Sequence, residues 1–292
     1  MNILVCVKQV PDTTEIKINY ETNTLIREGV PSIVNPFDAY ALEIAVRIKE
    51  KHGGTVTVLS MGPEQAKAAL KECLSVGADN AYLLSDRAFG GSDTLATSYI
   101  LSSAIKSLGE FDLILCGKQA IDGDTAQVGP EIAEHLGLPQ VTYVLDADIS
   151  EDKLSVKKET ETGYEMIETS MPAVLTVVKT AFEPRMASVK AKIAANRKPI
   201  SVITSQDIEI DLTRAGLKGS PTKVKKTFTP PMKGDSLIIK EDTAEASVRK
   251  LVSILDEKSI IEEVAKCLKN TKTCGYISNR IREPQPMSVW NF

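Results

Sequence analysis

The chain opens on an apolar run, Asn2 to Val10 (NILVCVKQV), bounded by Pro11 and Asp12, which is the pattern of a strand buried on both faces. After a polar stretch to Val34, NPFDAYALEIAVRIKEKHGG sets Tyr40, Ile44 and Ile48 beside Leu42, Ala45 and Val46 on a helical stripe that Gly53 and Gly54 close. The alternation then repeats. Thr55 to Ser60 (TVTVLS) predicts a strand, PEQAKAALKECLSVG a helix with Pro63 in its first turn, and Asn80 to Asp86 a third strand. Ser92-Asp93-Thr94 opens a helix that runs to about Leu108, and FDLILCG supplies a fourth strand. Gln127 to Leu136 is the next helix and QVTYVLDADI a further strand. Strands separated by helices of about 12 to 15 residues pair in parallel through right-handed crossovers, so the expected fold is an open, mainly parallel, doubly wound α/β sheet.

From about Glu151 the rhythm changes. KLSVKKET and YEMIETS alternate apolar and charged positions around Glu161-Thr162-Gly163, which predicts an antiparallel hairpin, and AVLTVVKT (Ala173 to Thr180) reads as one more core strand. Beyond Pro199 the strand-helix alternation stops: SPTKVKKTFTPPMKGDS mixes prolines and lysines as an exposed, extended arm. EASVRKLVSILDEKSII is an amphipathic helix, and a loosely ordered tail is expected after it. The division is thus an α/β domain over residues 1–200 and an arm with a helix over residues 201–292.

Composition narrows what such a sheet can serve. With 292 residues and 42% hydrophobic content there is ample core. A net charge of −4, with no basic cluster denser than VKAKIAANRK, argues against nucleic acid as the main partner. Five cysteines (Cys6, Cys73, Cys116, Cys267 and Cys274) without a CxxC pair argue against a disulfide framework and against a zinc or iron-sulfur site, and point to the cytoplasm. There is no signal-peptide pattern at the start and no apolar run near the roughly 20 residues that span a bilayer, so neither export nor a membrane span is expected. Cys6 and Cys116 belong to apolar runs, His52 closes a helix, and His135 lies on a helix face. No Ser-His-Asp order, HExxH or GxxxxGKS is present, so no catalytic residue and no metal ligand is assigned.

In open parallel sheets ligands sit beyond the carboxyl ends of the strands, where strand order reverses. The loops that matter are therefore CVKQV, SMGP and CGKQAIDGDTAQVG. The last couples a strand to a helix start, where converging backbone amides and the helix dipole favour phosphate; the plainer alternative is an ordinary surface turn. Asp124 stands three before Gln127, the capping-box spacing, and is expected to bond the helix's own amides. A bare carboxylate about 4 Å from a phosphate is repelled by about 4 kcal/mol at an effective dielectric near 20, so Asp122 is expected to face solvent, a ribose hydroxyl or a neighbouring chain. Gly123 between them lets backbone approach a ligand closely. Asn35-Pro36-Phe37-Asp38 reads either as a capped helix start or as a place where Asn35 and Asp38 reach an adenine or ribose. Met61-Gly62-Pro63 is either a plain strand-helix turn or a further wall of that site.

Together, VCVKQVPD, NPFDAYALEIAVRIKE, SMGP, LSVGADNAYLLSD, GKQAIDGDTAQVGPEIAEHLG and FEPRMASVKAKI closely resemble the beta subunit of electron-transfer flavoproteins, over roughly residues 1–235. The resemblance implies a Rossmann-like, adenine-nucleotide-binding sheet in a heterodimer with an alpha subunit, with the arm and C-terminal helix wrapping that subunit. It implies cofactor contacts at Cys6, Val7 and Lys8, at Asn35, Pro36, Phe37 and Asp38, and at Ser60, Met61 and Gly62. The same carries over to the loop Gly117, Lys118, Gln119, Ala120, Ile121, Asp122, Gly123, Asp124, Thr125, Ala126, Gln127 and Val128. The AMP-binding branch usually has consecutive aspartates here, whereas DGDTAQVGP looks like the electron-bifurcating branch, in which this subunit carries a second FAD. The implied chemistry is hydride transfer from NADH to that FAD. One electron then passes to ferredoxin and the other, through the alpha-subunit FAD, to a flavin-dependent dehydrogenase of acyl-CoA or lactate type. If the chain is non-bifurcating, AMP replaces FAD and the role is structural. Glu183, Pro184, Arg185 and Val189 resemble the family's partner-docking segment, with Val189 where leucine is usual; the alternative is a plain strand-to-helix connection.

Overall fold

In the computed structural model of the chain, the described residues are 1–12, 18–19, 24–25, 31–150, 153–225 and 237–259. The apolar runs become strands β1 (Asn2–Cys6), β6 (Thr55–Met61), β7 (Asn80–Leu84), β8 (Leu113–Gly117), β9 (Gln140–Ser150) and β12 (Ala173–Val177). Lys153–Thr160 and Gly163–Thr169 form the hairpin strands β10 and β11, and Ser201–Ile203 forms β13. Short pieces β2 (Gln9–Pro11) and β5 (Ser32–Val34) pair with each other, as do β3 (Ile18–Asn19) and β4 (Thr24–Leu25). The helices are α1 (Pro36–His52), α2 (Lys67–Ser75), α3 (Thr94–Leu108), α4 (Val128–Leu136), α5 (Val189–Arg197), α6 (Gly216–Gly219) and α7 (Ala244–Glu257).

Nine strands make one sheet in the order β11-β10-β9-β12-β8-β1-β6-β7-β13. Every pair from β9 to β13 through the centre is parallel, and only the β9-β10-β11 end is antiparallel. This is the expected doubly wound α/β sheet with an appended hairpin. Alternate residues of the central strands serve opposite faces. Ile3, Val5, Val58 and Leu115 pack with Ile44 and Leu70 on one side, while Leu4, Leu59 and Ile114 pack with Ile100 and Ile132 on the other. Helix starts follow local chemistry, as where the Asp93 carboxylate accepts the Ala96 amide at 3.0 Å to cap α3.

Three elements differ from the sequence reading. The first strand ends at Cys6 rather than Val10, and Gln9–Pro11 leaves the sheet to pair with β5. The Pro63 turn is a short 3-10 segment, Glu64–Ala66, before α2. Ser201–Ile203, placed with the arm from the sequence, extends the main sheet by pairing with β7. The chain divides into two compact units, Met1–Phe228 and Thr229–Phe292. In the second, α7 runs from a Thr243 cap and buries none of its described residues. Most of the proline-rich arm and the tail with Cys267 and Cys274 lie outside the described residues. Among the described residues no helix is long and apolar enough to cross a membrane.

Candidate functional site

The chain builds β6 and β7 on one flank of β1, then returns to place β8 on the other, so strand order reverses between β1 and β8. That is the position where such sheets hold ligands. Asp38, in the first turn of α1, ties the two strand ends together. Its Oδ2 accepts the Lys8 amide at 2.7 Å and its Oδ1 accepts the Gly117 amide at 3.0 Å. Burial pushes the Asp38 carboxyl up to about 7, against the opposing pull of Asn35, the two amides and the Lys8 charge. Gly117 is required for this contact, because a Cβ there would stand 2.3 Å from Asp38 Oδ1.

Asn35 performs the second tie. Its amide reaches the Lys8 carbonyl at 2.9 Å, its Nδ2 donates to the Gln119 carbonyl at 2.8 Å, and its Oδ1 accepts the Ile121 amide at 3.1 Å. Neither Asn35 nor Asp38 therefore caps α1 through its side chain; the helix starts on Pro36 with no side-chain cap. Both polar groups hold the loop that follows β8. The early end of the first strand has the same cause, since the Lys8 amide is given to Asp38 rather than to a neighbouring strand.

The two loop acids are also engaged, in ways the sequence reading did not anticipate. Asp122 does not turn away: its Oδ1 lies 2.6 Å from Lys8 Nζ, and its side chain is only 6% exposed. Asp124 does not cap α4. It accepts a hydrogen bond from Gln119 Nε2, while the helix begins at Val128 with Gln127 at the cap position and no side-chain cap. The reason is backbone conformation. Asp124 and Ala126 both take φ 55°, a left-handed geometry costing a non-glycine residue about 1–3 kcal/mol, which turns the chain away from an Asp124 cap. Such outliers concentrate at ligand-holding loops. Gly123 faces open space, and a Cβ there would meet nothing within 4 Å.

The remaining sequence candidates converge on the same edge. Val7 donates its amide to Leu59 at 2.9 Å, Gly62 to Leu84 at 3.0 Å, and Lys118 to Val177 at 2.7 Å, so each is fixed by a neighbouring strand end. Lys118 Nζ sits 5.8 Å from the Phe37 ring and 5.1 Å from the Tyr143 ring. Tyr143 was missed from the sequence, and its placement on β9 carried no local signal beyond being aromatic. Ala120 accepts the Gly123 and Asp124 amides at 3.2 and 2.8 Å, closing a turn. The Ser60 hydroxyl, buried at the carboxyl end of β6, has no partner among the described residues. Cys6 and Cys116 face each other in register on β1 and β8. The bond from Cys6, together with burial, raises the Cys116 thiol well above its ordinary range, which makes it inert as a nucleophile. Among the described residues no His, Cys, Asp and Glu cluster could hold a metal. The arrangement presents loop amides and a helix start that can position a phosphate-bearing ligand.

A model of the electron transfer flavoprotein domain matches residues 22–208. The electron transfer flavoprotein subunit beta of Thermoanaerobacterium thermosaccharolyticum is 54% identical over 262 residues, covering 89% of this chain and 100% of that protein. The caffeyl-CoA reductase-Etf complex subunit CarD of Acetobacterium woodii is 52% identical over 262 residues, with coverage of 89% and 100%. The protein FixA of Azotobacter vinelandii is 45% identical over 280 residues, with 91% and 99% covered. The chain belongs to the electron transfer flavoprotein family, as a beta subunit. Membership carries a role in electron transfer, and the family implies flavin or nucleotide binding. The crevice fits such a group: a strained, amide-bearing loop, a buried hydroxyl with no partner among the described residues, one acid paired with a lysine and one hydrogen-bonded to a glutamine lie at this edge of the sheet.

The second region that family resemblance singles out in this flavoprotein subunit is the segment Glu183 to Val189, which leads into α5. Arg185 is clamped by two glutamates of α1: Nε and Nη2 reach Glu43 at 2.9 and 3.1 Å, and Nη1 and Nη2 reach Glu50 at 2.5 and 3.0 Å. The paired charges hold Arg185 protonated and Glu50 ionised. Glu183 accepts the Tyr40 hydroxyl at 2.8 Å, and the Ser188 hydroxyl caps α5 at the Ala191 amide. Lys71 binds the last α5 carbonyls, of Ala195 at 3.0 Å, Asn196 at 3.1 Å and Lys198. Pro184 lines a cavity beside Arg185, while Met186 and Val189 stand 95% and 77% exposed.

Proposed function

We propose that the crevice beyond β1, β6 and β8 holds FAD, and that this beta subunit serves an electron-bifurcating flavoprotein in the cytoplasm. The observation that carries the reading is the loop at Gly123. Its flanking acids are already engaged, Asp122 with Lys8 and Asp124 with Gln119, and the space beside the glycine is open, as a ligand larger than AMP would need. FAD contains the AMP moiety and adds a second phosphate, a ribityl chain and the isoalloxazine. Loop amides and the start of α4 would take the phosphates, and the Asn35–Asp38 turn would fix the distance between the two lips. Bound FAD supplies hydride acceptance from NADH and passage of electrons to ferredoxin and, through the alpha-subunit FAD, to a partner dehydrogenase.

The companion is an alpha subunit, and the electron acceptor is a flavin-dependent dehydrogenase docking on Met186 and Val189. The relative named for a caffeyl-CoA reductase complex favours the acyl-CoA type over the lactate type. The second reading keeps the family and places AMP in the crevice as a structural ligand; the left-handed residues Asp124 and Ala126 suit either occupant. Counting flavins in the purified heterodimer separates the two. Two FAD per heterodimer, with NADH-driven ferredoxin reduction that depends on a second acceptor, is the expected result. One FAD plus one AMP overturns the bifurcating reading.

A further inference from the structure

Family likeness places Lys8 and Asp122 at the cofactor site without saying what each does. The geometry points to Lys8 as a positioning residue that acts through Asp122, holding the loop Gly117–Val128 across the crevice in its binding conformation, rather than as a cation that itself grips phosphate. This inference rests on the crevice being the cofactor site.

The Lys8 backbone is fixed on both sides, its amide by Asp38 and its carbonyl by Asn35, so its side chain starts from a rigid base. From there Nζ crosses from the β1 lip to the β8 loop and meets Asp122 at 2.6 Å, a residue 114 positions away in sequence. Asp122 is withdrawn from water, and a carboxylate so placed needs its cation. With its charge less compensated it would also repel phosphate more strongly. The pair is the last in a series of ties that secure the first half of the loop: Asp38 holds Gly117, Asn35 holds Gln119 and Ile121, and Lys8 holds Asp122. The left-handed residues Asp124 and Ala126 follow directly. A strained stretch persists only where its surroundings over-determine it; Gln119 and Ala120 hold Asp124 from within the loop, and Lys8 ties that loop, through Asp122, to the β1 lip.

The two roles for Lys8 predict opposite effects at Asp122. If Lys8 is a phosphate ligand, Asp122 competes for it, and Asp122→Asn frees it to bind more tightly. If Lys8 positions the loop, Asp122→Asn weakens binding as Lys8→Met does. The experiment uses the heterodimer stripped of nucleotide, with AMP and FAD titrated separately at low and moderate salt. Each single variant is expected to lose about tenfold in affinity, the double variant Lys8→Met/Asp122→Asn to be no worse than either single, and the swap Lys8→Asp/Asp122→Lys to recover most of the loss. Hydrogen exchange of the Gly123–Gln127 amides, measured without ligand, should quicken in both single variants and return toward the parent in the swap. Tighter binding by Asp122→Asn, additive losses in the double variant, or unchanged exchange overturns the proposal. Should the parent heterodimer bind neither AMP nor FAD, the cofactor reading fails by itself, and the exchange data still decide whether Lys8 holds the loop.

Discussion

The crevice and the segment Glu183–Arg197 use charge in opposite ways. At the crevice polar side chains reach inward and hold backbone: Asp38 and Asn35 are fully or nearly buried and spend their capacity on amides and a carbonyl of the strand ends and loop. On the segment proposed for docking, Arg185 and Lys71 fasten the chain from outside, α5 buries only Ala195, and its apolar residues Val189 and Ile193 face away. The first arrangement fixes the strand ends and the loop to one another, as the proposed binding of a small charged ligand needs. The second keeps an apolar surface in place without using that surface for folding, which is what a protein-docking face requires.

The sharpest way to break the comparison is at two glycines of the same loop. Gly117→Ala puts a methyl 2.3 Å from Asp38 Oδ1 and 2.7 Å from the Asp38 amide, with backbone that cannot yield. A loss of about 3 kcal/mol is expected in urea unfolding, with cofactor release. Gly123→Ala meets open space, so its stability should stay within about 0.5 kcal/mol. Gly123→Val should keep the fold but retain less flavin, since its bulk takes the space reserved for the ligand; unchanged flavin content would count against the loop's role.

Next in size is a pH effect confined to the crevice. The Asp38 carboxyl rises from its ordinary 3.8 to about 7 on folding, so between about pH 4 and 7 the folded chain holds a proton that the unfolded chain releases. Its contribution is fullest at acid pH and is lost as pH rises through 7, by roughly 2–3 kcal/mol between pH 5 and 8. The parent should lose stability relative to Asp38→Asn over that window. Other groups do not mimic this difference. Asp86 and Asp148 have lowered values and lose their contribution as pH falls below the usual carboxylate range, and the lowered His135 loses its own as pH falls, the opposite direction. At the Arg185 clamp Glu50 is likewise lowered by Arg185, so that clamp weakens only in acid.

Much of this was legible from pattern, and the failures have physical reasons. The spacing of apolar runs and helices specified the parallel sheet, the Glu161-Thr162-Gly163 turn specified the hairpin, and Asp93 announced the start of α3. Proximity of the loops also followed, because the ends of parallel strands share an edge. Pairings did not follow. Asp124 had the spacing of a cap, but left-handed backbone at Asp124 and Ala126 moved the helix start, and nothing local encodes that Lys8 answers Asp122. The strand Ser201–Ile203 was invisible because three residues carry no periodicity and its partner β7 lies far back in the chain.

A third test falls on the clamp itself. Arg185→Met leaves Glu43, whose side chain is only 9% exposed, without its cation. Removing one partner of a fully buried pair costs about 3–5 kcal/mol; because Arg185 is a third exposed, about 2 kcal/mol is expected here. Arg185→Lys should recover little of it, since an ammonium cannot serve two carboxylates in the forked geometry of the guanidinium. Cofactor binding should be unchanged by either variant, while hydrogen exchange quickens in the Met186–Ile193 stretch. Loss of flavin with Arg185→Met would show that the two regions are not independent.

The smallest effect on stability should be the most informative about partners. Val189 is largely exposed at the first turn of α5, next to Ser188, which caps the helix, so truncation to alanine removes almost no buried surface and slightly favours the helix. Stability is expected to stay within about 0.5 kcal/mol. If the outward apolar face exists for docking, Val189→Ala should still raise the concentration of dehydrogenase needed for half-maximal electron transfer, by about tenfold if Val189 sits near the centre of the contact. The rate at saturating dehydrogenase should not change, since the crevice is untouched. Met186→Ala should act in the same direction, with less effect because a flexible thioether loses more freedom when it is buried. A variant that left docking intact would return this segment to the plain strand-to-helix connection that its sequence also allows.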